Sequence, residues 1–179
     1  MVTTSVSSQT FLSDTIKVIR NSLSSNITDP ILSSRAGNER FVMTSYPDKL
    51  TKYPVIIVED SSFIGTPAGI GSEAQDVDIG IAIEVFSRNV KQRDILTGSI
   101  YNYLRTNQRN IVAGTSGTQT WGLYGFKLSN TINLDNTPGY EGIRRKRMEY
   151  SYQYQTQPWG GKYENKIHWC IAKRKSSFR

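Results

Sequence analysis

Six carboxylates lie within one stretch of the chain: Glu59, Asp60, Glu73, Asp76, Asp78 and Glu84. Carboxylates at strand ends with a lysine nearby are what a metal-dependent nuclease needs. Glu84-Val85-Phe86 lacks the lysine two residues on that the common nuclease signature carries, and Asp76 and Asp78 read as an exposed strand start. Nucleophilic catalysis by a Ser-His-Asp or Cys-His set would have to use His168, the single histidine, two residues from the single cysteine, Cys170. An ordinary histidine in a C-terminal segment is the better reading of it. Gly65-Thr66-Pro67-Ala68-Gly69-Ile70-Gly71 is glycine-rich and follows a strand, but it lacks the Gly-Lys-Ser/Thr ending of a phosphate-binding loop. A connecting loop accounts for it. The richest chemistry is cationic. Arg144-Arg145-Lys146-Arg147 run into Met148, Tyr150, Tyr152 and Tyr154, alternating with Glu149, Ser151 and Gln153. Basic residues interleaved with aromatics bind single-stranded nucleic acid by phosphate contact and stacking. The same spacing also describes the core side of an amphipathic strand, and both readings stay open at this point.

The elements that must position these groups follow from hydrophobic periodicity. Leu12, Ile16, Ile19 and Leu23 lie on one face of an amphipathic helix from about Thr10 to Ser24. Arg40 to Ser45 reads as a short strand or an extended arm. Tyr53 to Glu59 is a strand with Pro54 near its start, apolar on both faces and so central or covered. The segment Asp60 to Gln75, rich in Gly and Ser, reads as a loop. Val77, Ile79, Ile81, Ile83 and Val85 then alternate without a miss, a strand with one buried face. Gly80 and Ala82 keep its other face slim, as close backbone approach requires. Ser87 or Asn89 caps a second helix with Ile95 or Leu96, then Ile100, Tyr103 and Leu104 on its core side, ending near Asn107. A Gly/Thr/Ser link, Ala113 to Thr120, leads to a third strand, Trp121 to Leu128. A turn at Asp135 to Gly139 precedes the fourth strand with the alternating tyrosines, and Ile167 to Ala172 is a candidate extra strand. The expected fold is α+β, a four-stranded mainly antiparallel sheet with two helices on one face. Extended arms and a basic C-terminal tail complete it. The expected division is a flexible arm over residues 1–9, one α+β domain over 10–157, and a basic extension over 158–179.

Composition narrows the function classes. The chain of 179 residues is 37% hydrophobic and 21% charged, with net charge +7. Residues 1–141 hold 12 basic and 13 acidic side chains, and residues 142–179 hold 10 and 2. The last part therefore carries +8 and the body −1, which points to an acidic partner for the C-terminal segment or to a solvated basic tail. The longest apolar run, Val55 to Val58, is far short of the roughly 20 residues of a membrane span, and no signal peptide is expected at residues 1–10. One cysteine excludes an internal disulfide framework and a multi-cysteine zinc site, and use in a reducing compartment is expected.

The order of these signals resembles the tail terminator (tail-completion, head-tail joining) proteins of long-tailed bacteriophages and related viruses, which share a fold with some head-tail connectors. The resemblance rests on several features taken together. They are the first helix, Phe41 to Pro47 with its Ser-Tyr-Pro, Tyr53 to Glu59, the alternating strand Asp76 to Ser87, the helix with Asp94, Leu96, Ile100 and Leu104, and the closing Arg147 to Tyr154. It spans about Thr10 to Gln155, and the basic tail beyond Gln157 departs from the family pattern. It implies a structural virion protein at the neck, without enzymatic activity or cofactor. Such a protein forms a homohexameric ring that caps the tail tube, ends its polymerisation and meets the head completion or connector proteins. Viral DNA would pass through the ring without sequence-specific binding, and no membrane is involved. The long segments 1–9, 28–52, 60–75 and 159–179 are expected to reach neighbouring subunits. Tyr46, Tyr53, Trp159, Tyr163 and Trp169 are their aromatic anchors. Arg144, Arg145, Lys146, Arg147, Lys173, Arg174 and Lys175 are the basic contact candidates. The second reading is a nucleic-acid-binding module built on strand 143–154 and the C-terminal tail.

Overall fold

In the computed structural model the residues described are 11–37, 39–46, 52–67, 75–108, 112–116, 119–122, 126–135 and 142–156; for 112–116, 119–122 and 153–156, and for Phe11, Phe63, Pro67 and 75–77, the description covers the backbone alone. The first helix, α1 (Phe11–Asn26), buries Ile19 and Leu23 fully and packs Leu12 and Ile16 at the edge of the same cluster. That is the face the i, i+4, i+7, i+11 spacing calls for. A 3-10 turn at Leu32–Ser34 and a two-residue strand, β1 (Val42–Met43), follow. The described part of this connection is held against the body of the domain. Arg35 bonds Asp29 and the carbonyls of Lys52 and Pro54, and Phe41 and Val42 are buried.

Strand β2 (Val55–Pro67) pairs in parallel with β1 and antiparallel with β3 (Gln75–Ser87). The expected loop from Asp60 is thus corrected: backbone pairing with β3 continues to Pro67 opposite Gln75, past a bulge at Asp60/Ser62. Glycine and serine there do not break the ladder, because Gly80 on β3 leaves room for Ser61 and Ser62. A Cβ at position 80 would press on both serine hydroxyls.

Helix α2 (Val90–Asn107) is capped by Asn89, whose side chain accepts from the Lys91 amide at 2.8 Å, and it buries Leu96, Ile100 and Leu104. Ile95 faces outward. Next come β4 (Val112–Ser116) and β5 (Gln119–Gly122), a separate two-stranded sheet, where a link was expected. The run read as one strand from Trp121 to Leu128 is divided: its start belongs to β5, and its end opens β6 (Lys127–Asn133). Glycines 122 and 125 punctuate that run. Strand β7 (Arg144–Thr156) closes the chain of described elements.

Among the described residues the main sheet is five-stranded, not four, in the order β1-β2-β3-β7-β6, antiparallel except for the β1–β2 pair. Both helices lie on one face, as expected. The core joins Ile19 and Leu23 of α1 and Leu96, Ile100 and Leu104 of α2 to Ile79, Ile81, Ile83 and Val85 of β3 and Met148, Tyr150 and Tyr152 of β7. Each fully buried aliphatic side chain contributes about 1.5–3 kcal/mol. A Ser22–Tyr103 hydroxyl hydrogen bond of 2.6 Å ties the helices together. No described helix is long and apolar enough to cross a membrane.

Candidate functional site

The face of the sheet turned away from the helices holds the candidate site. Strand alternation puts Val55, Ile57 and Glu59 of β2, Phe86, Glu84, Ala82, Gly80 and Asp78 of β3, and Arg145, Arg147, Glu149 and Ser151 of β7 on it. At one end Val55, Ile57 and Phe86 form a small second cluster with Met43, Tyr53 and Ile143 packed on it. Tyr46 meets Phe86 edge-on, centroids 4.7 Å apart at 87°. Two of the aromatic anchor candidates, Tyr46 and Tyr53, therefore pack on their own chain. Trp159, Tyr163 and Trp169 lie outside the described residues, as do Lys173, Arg174, Lys175, His168 and Cys170.

The middle of this face is a charge network. Glu84 is 5% exposed and accepts from Arg145 and Arg147, each at 2.9 Å. Arg147 also reaches Glu59 and Glu149, each at 3.2 Å. Arg145 lies over the Phe86 ring at 4.8 Å. Desolvation is the largest influence on Arg147 and opposes its charge; hydrogen bonding and attraction from Glu84, with Glu59 and Glu149, outweigh it and raise its pKa. Burial, helped by repulsion from Glu84, pushes the Glu59 carboxyl above its ordinary value despite Arg147. Lys146, on the other face, bonds Asp94 of α2 at 2.7 Å. Asp94 also bonds Arg93, which bonds Asp135 at the end of β6.

Of the sequence-predicted groups, the structure brings Glu59 and Glu84 together through arginine. It places Asp78 apart from them, exposed on the arm formed by the distal half of the β2–β3 hairpin. Three members of the tetrad Arg144-Arg145-Lys146-Arg147 are in ion pairs with carboxylates of their own chain. Arg144 lies close enough to Asp135 to favour its ionised form. Among the described residues no group of three His, Cys, Asp or Glu side chains is placed to hold a metal ion. The arm itself was missed, because its exposed residues Asp60, Ser61, Ser62, Ile64, Gly65 and Thr66 carry loop chemistry. Ile64, 59% exposed, is the apolar residue among the described side chains that marks it.

No family model matches the chain, and no curated protein matches it. Among solved structures, the chain is similar to one from the virion of a native gene transfer agent (GTA) particle, with TM-score 0.47 and 11% identity over 77% of this chain and 92% of that chain. A likeness of that depth carries no functional argument.

Proposed function

We propose that the chain is a structural virion protein that assembles as a homohexameric ring at the head-proximal end of a tail, caps the tail tube and joins it to the neck. The observation that carries the reading is the arm: a body closed by two helices on a sheet continues into a hairpin whose β2 residues from Asp60 to Thr66 are exposed wherever their side chains are described. Exposed paired strands with an outward isoleucine suit contact between copies. The element order, α1, β1 to β3, α2, then β4 to β7, contains the two helices, the β2–β3 pair between them and the closing tyrosine strand on which the sequence resemblance rests, and adds β1, β4 and β5. In this reading residues 1–9 and 158–179 flank a domain over 10–157 and reach the tube protein and the connector ring. Glu84 and Glu59 support structure in preference to metal chemistry, because arginines occupy the space where a cation would bind. The nucleic-acid module draws less support, since three cations of the tetrad are already paired.

The test uses the tube protein of the same particle. Tubes polymerised with the chain should carry a sixfold ring at one end in negative-stain images and stop growing. Bare tube ends and unchanged tube lengths at saturating chain would reject the capping role. A connector role would show instead as rings bound to portal-side proteins and absent from tubes.

A further inference from the structure

Another exposed apolar site is a groove of about 460 Å³ between the end of α1 and the first half of α2. Ile27, Pro30, Leu96 and Ile95 line it, with Lys91 and Ser99 beside them. Ile95 is 59% exposed, on a helix whose other side is fully used by the core. Among the exposed apolar side chains described, which also include Leu32 and Val90, the Ile64 knob and the Ile95 groove lie on separate surfaces.

They cannot meet within one molecule. Ile64 stands opposite Asp78 in the β2–β3 register, while the groove's helix begins just past Ser87 at the far end of β3. Nine residues of strand, about 30 Å at 3.3–3.4 Å per residue, run from Asp78 to Ser87, and Ile64 lies on the sheet face away from the helices that form the groove. Their charges are complementary. The described charged side chains on the arm, Asp60 and Asp78, are both acidic. Lys91 lines the groove, and Arg88 precedes the lining Asn89. Among the described residues neither Asp78 nor Lys91 is in an ion pair. Asp78 shares the sheet face with Ile64, so a partner that seats the isoleucine also receives the carboxylate.

We infer that the arm of one copy docks in the α1–α2 groove of the next, Ile64 against Ile95 and Leu96 and Asp78 against Lys91. The inference deepens the ring reading and rests on it. A knob and a groove on different surfaces make a head-to-tail contact, which closes into a ring when the rotation per copy closes. Burying an isoleucine in an apolar groove supplies attraction, and the charge pair fixes orientation.

Disulfide trapping in the full chain tests this without needing a tight complex. In a Cys170→Ser background, Ile64→Cys and Ser99→Cys chains are prepared separately; both sites are exposed, and circular dichroism verifies the fold. Oxidising the mixture should give the two-chain product about tenfold or more above either variant alone, the equivalent of ~1.4 kcal/mol. The chain carrying both substitutions should give a ladder ending in a closed species. Adding Lys91→Glu to the Ser99→Cys chain should suppress trapping, and pairing it with Asp78→Lys on the Ile64→Cys chain should restore it. A mixture no better than its components overturns the inference. So does self-trapping of Ile64→Cys that exceeds the mixture, because that is an arm-to-arm contact. Capped tubes without specific trapping leave the ring reading and remove this contact. Specific trapping with bare tubes keeps the contact and removes the capping role.

Discussion

Replacing Glu84 with Gln changes no shape and removes one charge from the most buried part of the network. Glu84 lies in register between Ile57 of β2 and Arg147 of β7 and receives two guanidinium bonds of 2.9 Å. Hydrogen bonds to charged groups are worth about 1.5–3 kcal/mol each, and breaking a buried pair from one side costs about 3–5. In Glu84→Gln one amide hydrogen is aimed at a guanidinium that has only donors. The loss is moderated on both arginines. Arg147 keeps Glu59 and Glu149 at 3.2 Å, and Arg145 keeps its place over Phe86 at 4.8 Å. The expected destabilisation is therefore near the low end, about 3 kcal/mol. At about 2–4 °C per kcal/mol for a chain of this size, the Tm should fall by about 6–12 °C. The control is Glu149→Gln, whose side chain is 33% exposed, with an expected cost of about 1 kcal/mol or less. Urea unfolding followed by circular dichroism, at one protein concentration and at two salt concentrations, measures both. The buried-pair effect should persist at high salt, where an exposed pair is screened. A loss below ~1 kcal/mol in Glu84→Gln, or one equal to that of Glu149→Gln, would refute the assignment of the network as the bond between β3 and β7 on this face.

Ile81 is fully buried on the helix-facing side of β3, so Ile81→Asp should leave no folded chain in the soluble fraction; wild-type unfolding in that variant would mean the face is misassigned. Gly80→Ala pushes a methyl group against the hydroxyls of Ser61 and Ser62 and should cost about 1–3 kcal/mol, recovered in part by Ser61→Gly with Ser62→Gly. The pH profile has a defined sign. The Lys146 bond, then Arg93, lowers Asp94 despite some desolvation. For Asp135 desolvation is the largest influence and raises it, but the bonds from the Arg93 guanidinium and the Arg145 backbone amide prevail and lower it. Stability from a lowered carboxyl is present above its unfolded value and lost as pH falls through the folded one, so these two act below pH 3.8. The raised Glu59 works oppositely, with stability declining as pH rises above 4.5. The urea midpoint should drop steeply below pH ~4, and Asp135→Asn should flatten that limb; an unchanged limb would remove Asp135 from the account.

What local sequence wrote clearly, it wrote through one-sided burial. In α1, in β3 and over Met148 to Tyr152 of β7 each element hides one face, so its period is imprinted on the residues, and Asn89 announces α2 by the cap it forms. Where neither face is strongly apolar, no period survives. Strand β6 is a mostly polar strand, Lys-Leu-Ser-Asn-Thr-Ile-Asn, paired with β7 and with only Leu128 packed against the core. The β2 arm is exposed on its outer residues and owes its strand conformation to β3 and to the space at Gly80. In both, backbone hydrogen bonding to a distant partner overrides a weak local preference.

The charges show the division most plainly. The sequence alone determines that Arg145 and Arg147 alternate with Met148 and Tyr150, and hence that they share a face. It also determines that Glu84 stands opposite in phase to Ile83 and Val85. It cannot say that those two faces coincide, because Glu84 lies 61 and 63 residues from the arginines it binds. That was decided by the β3–β7 register, Glu84 opposite Arg147 and Phe86 opposite Arg145. A shift of one residue would turn the arginines onto the helix side and leave the carboxylate without them. Tertiary structure thereby converted a basic run that reads as a nucleic-acid contact into an internal brace, since an ion pair depends on distances that only the packed sheet sets.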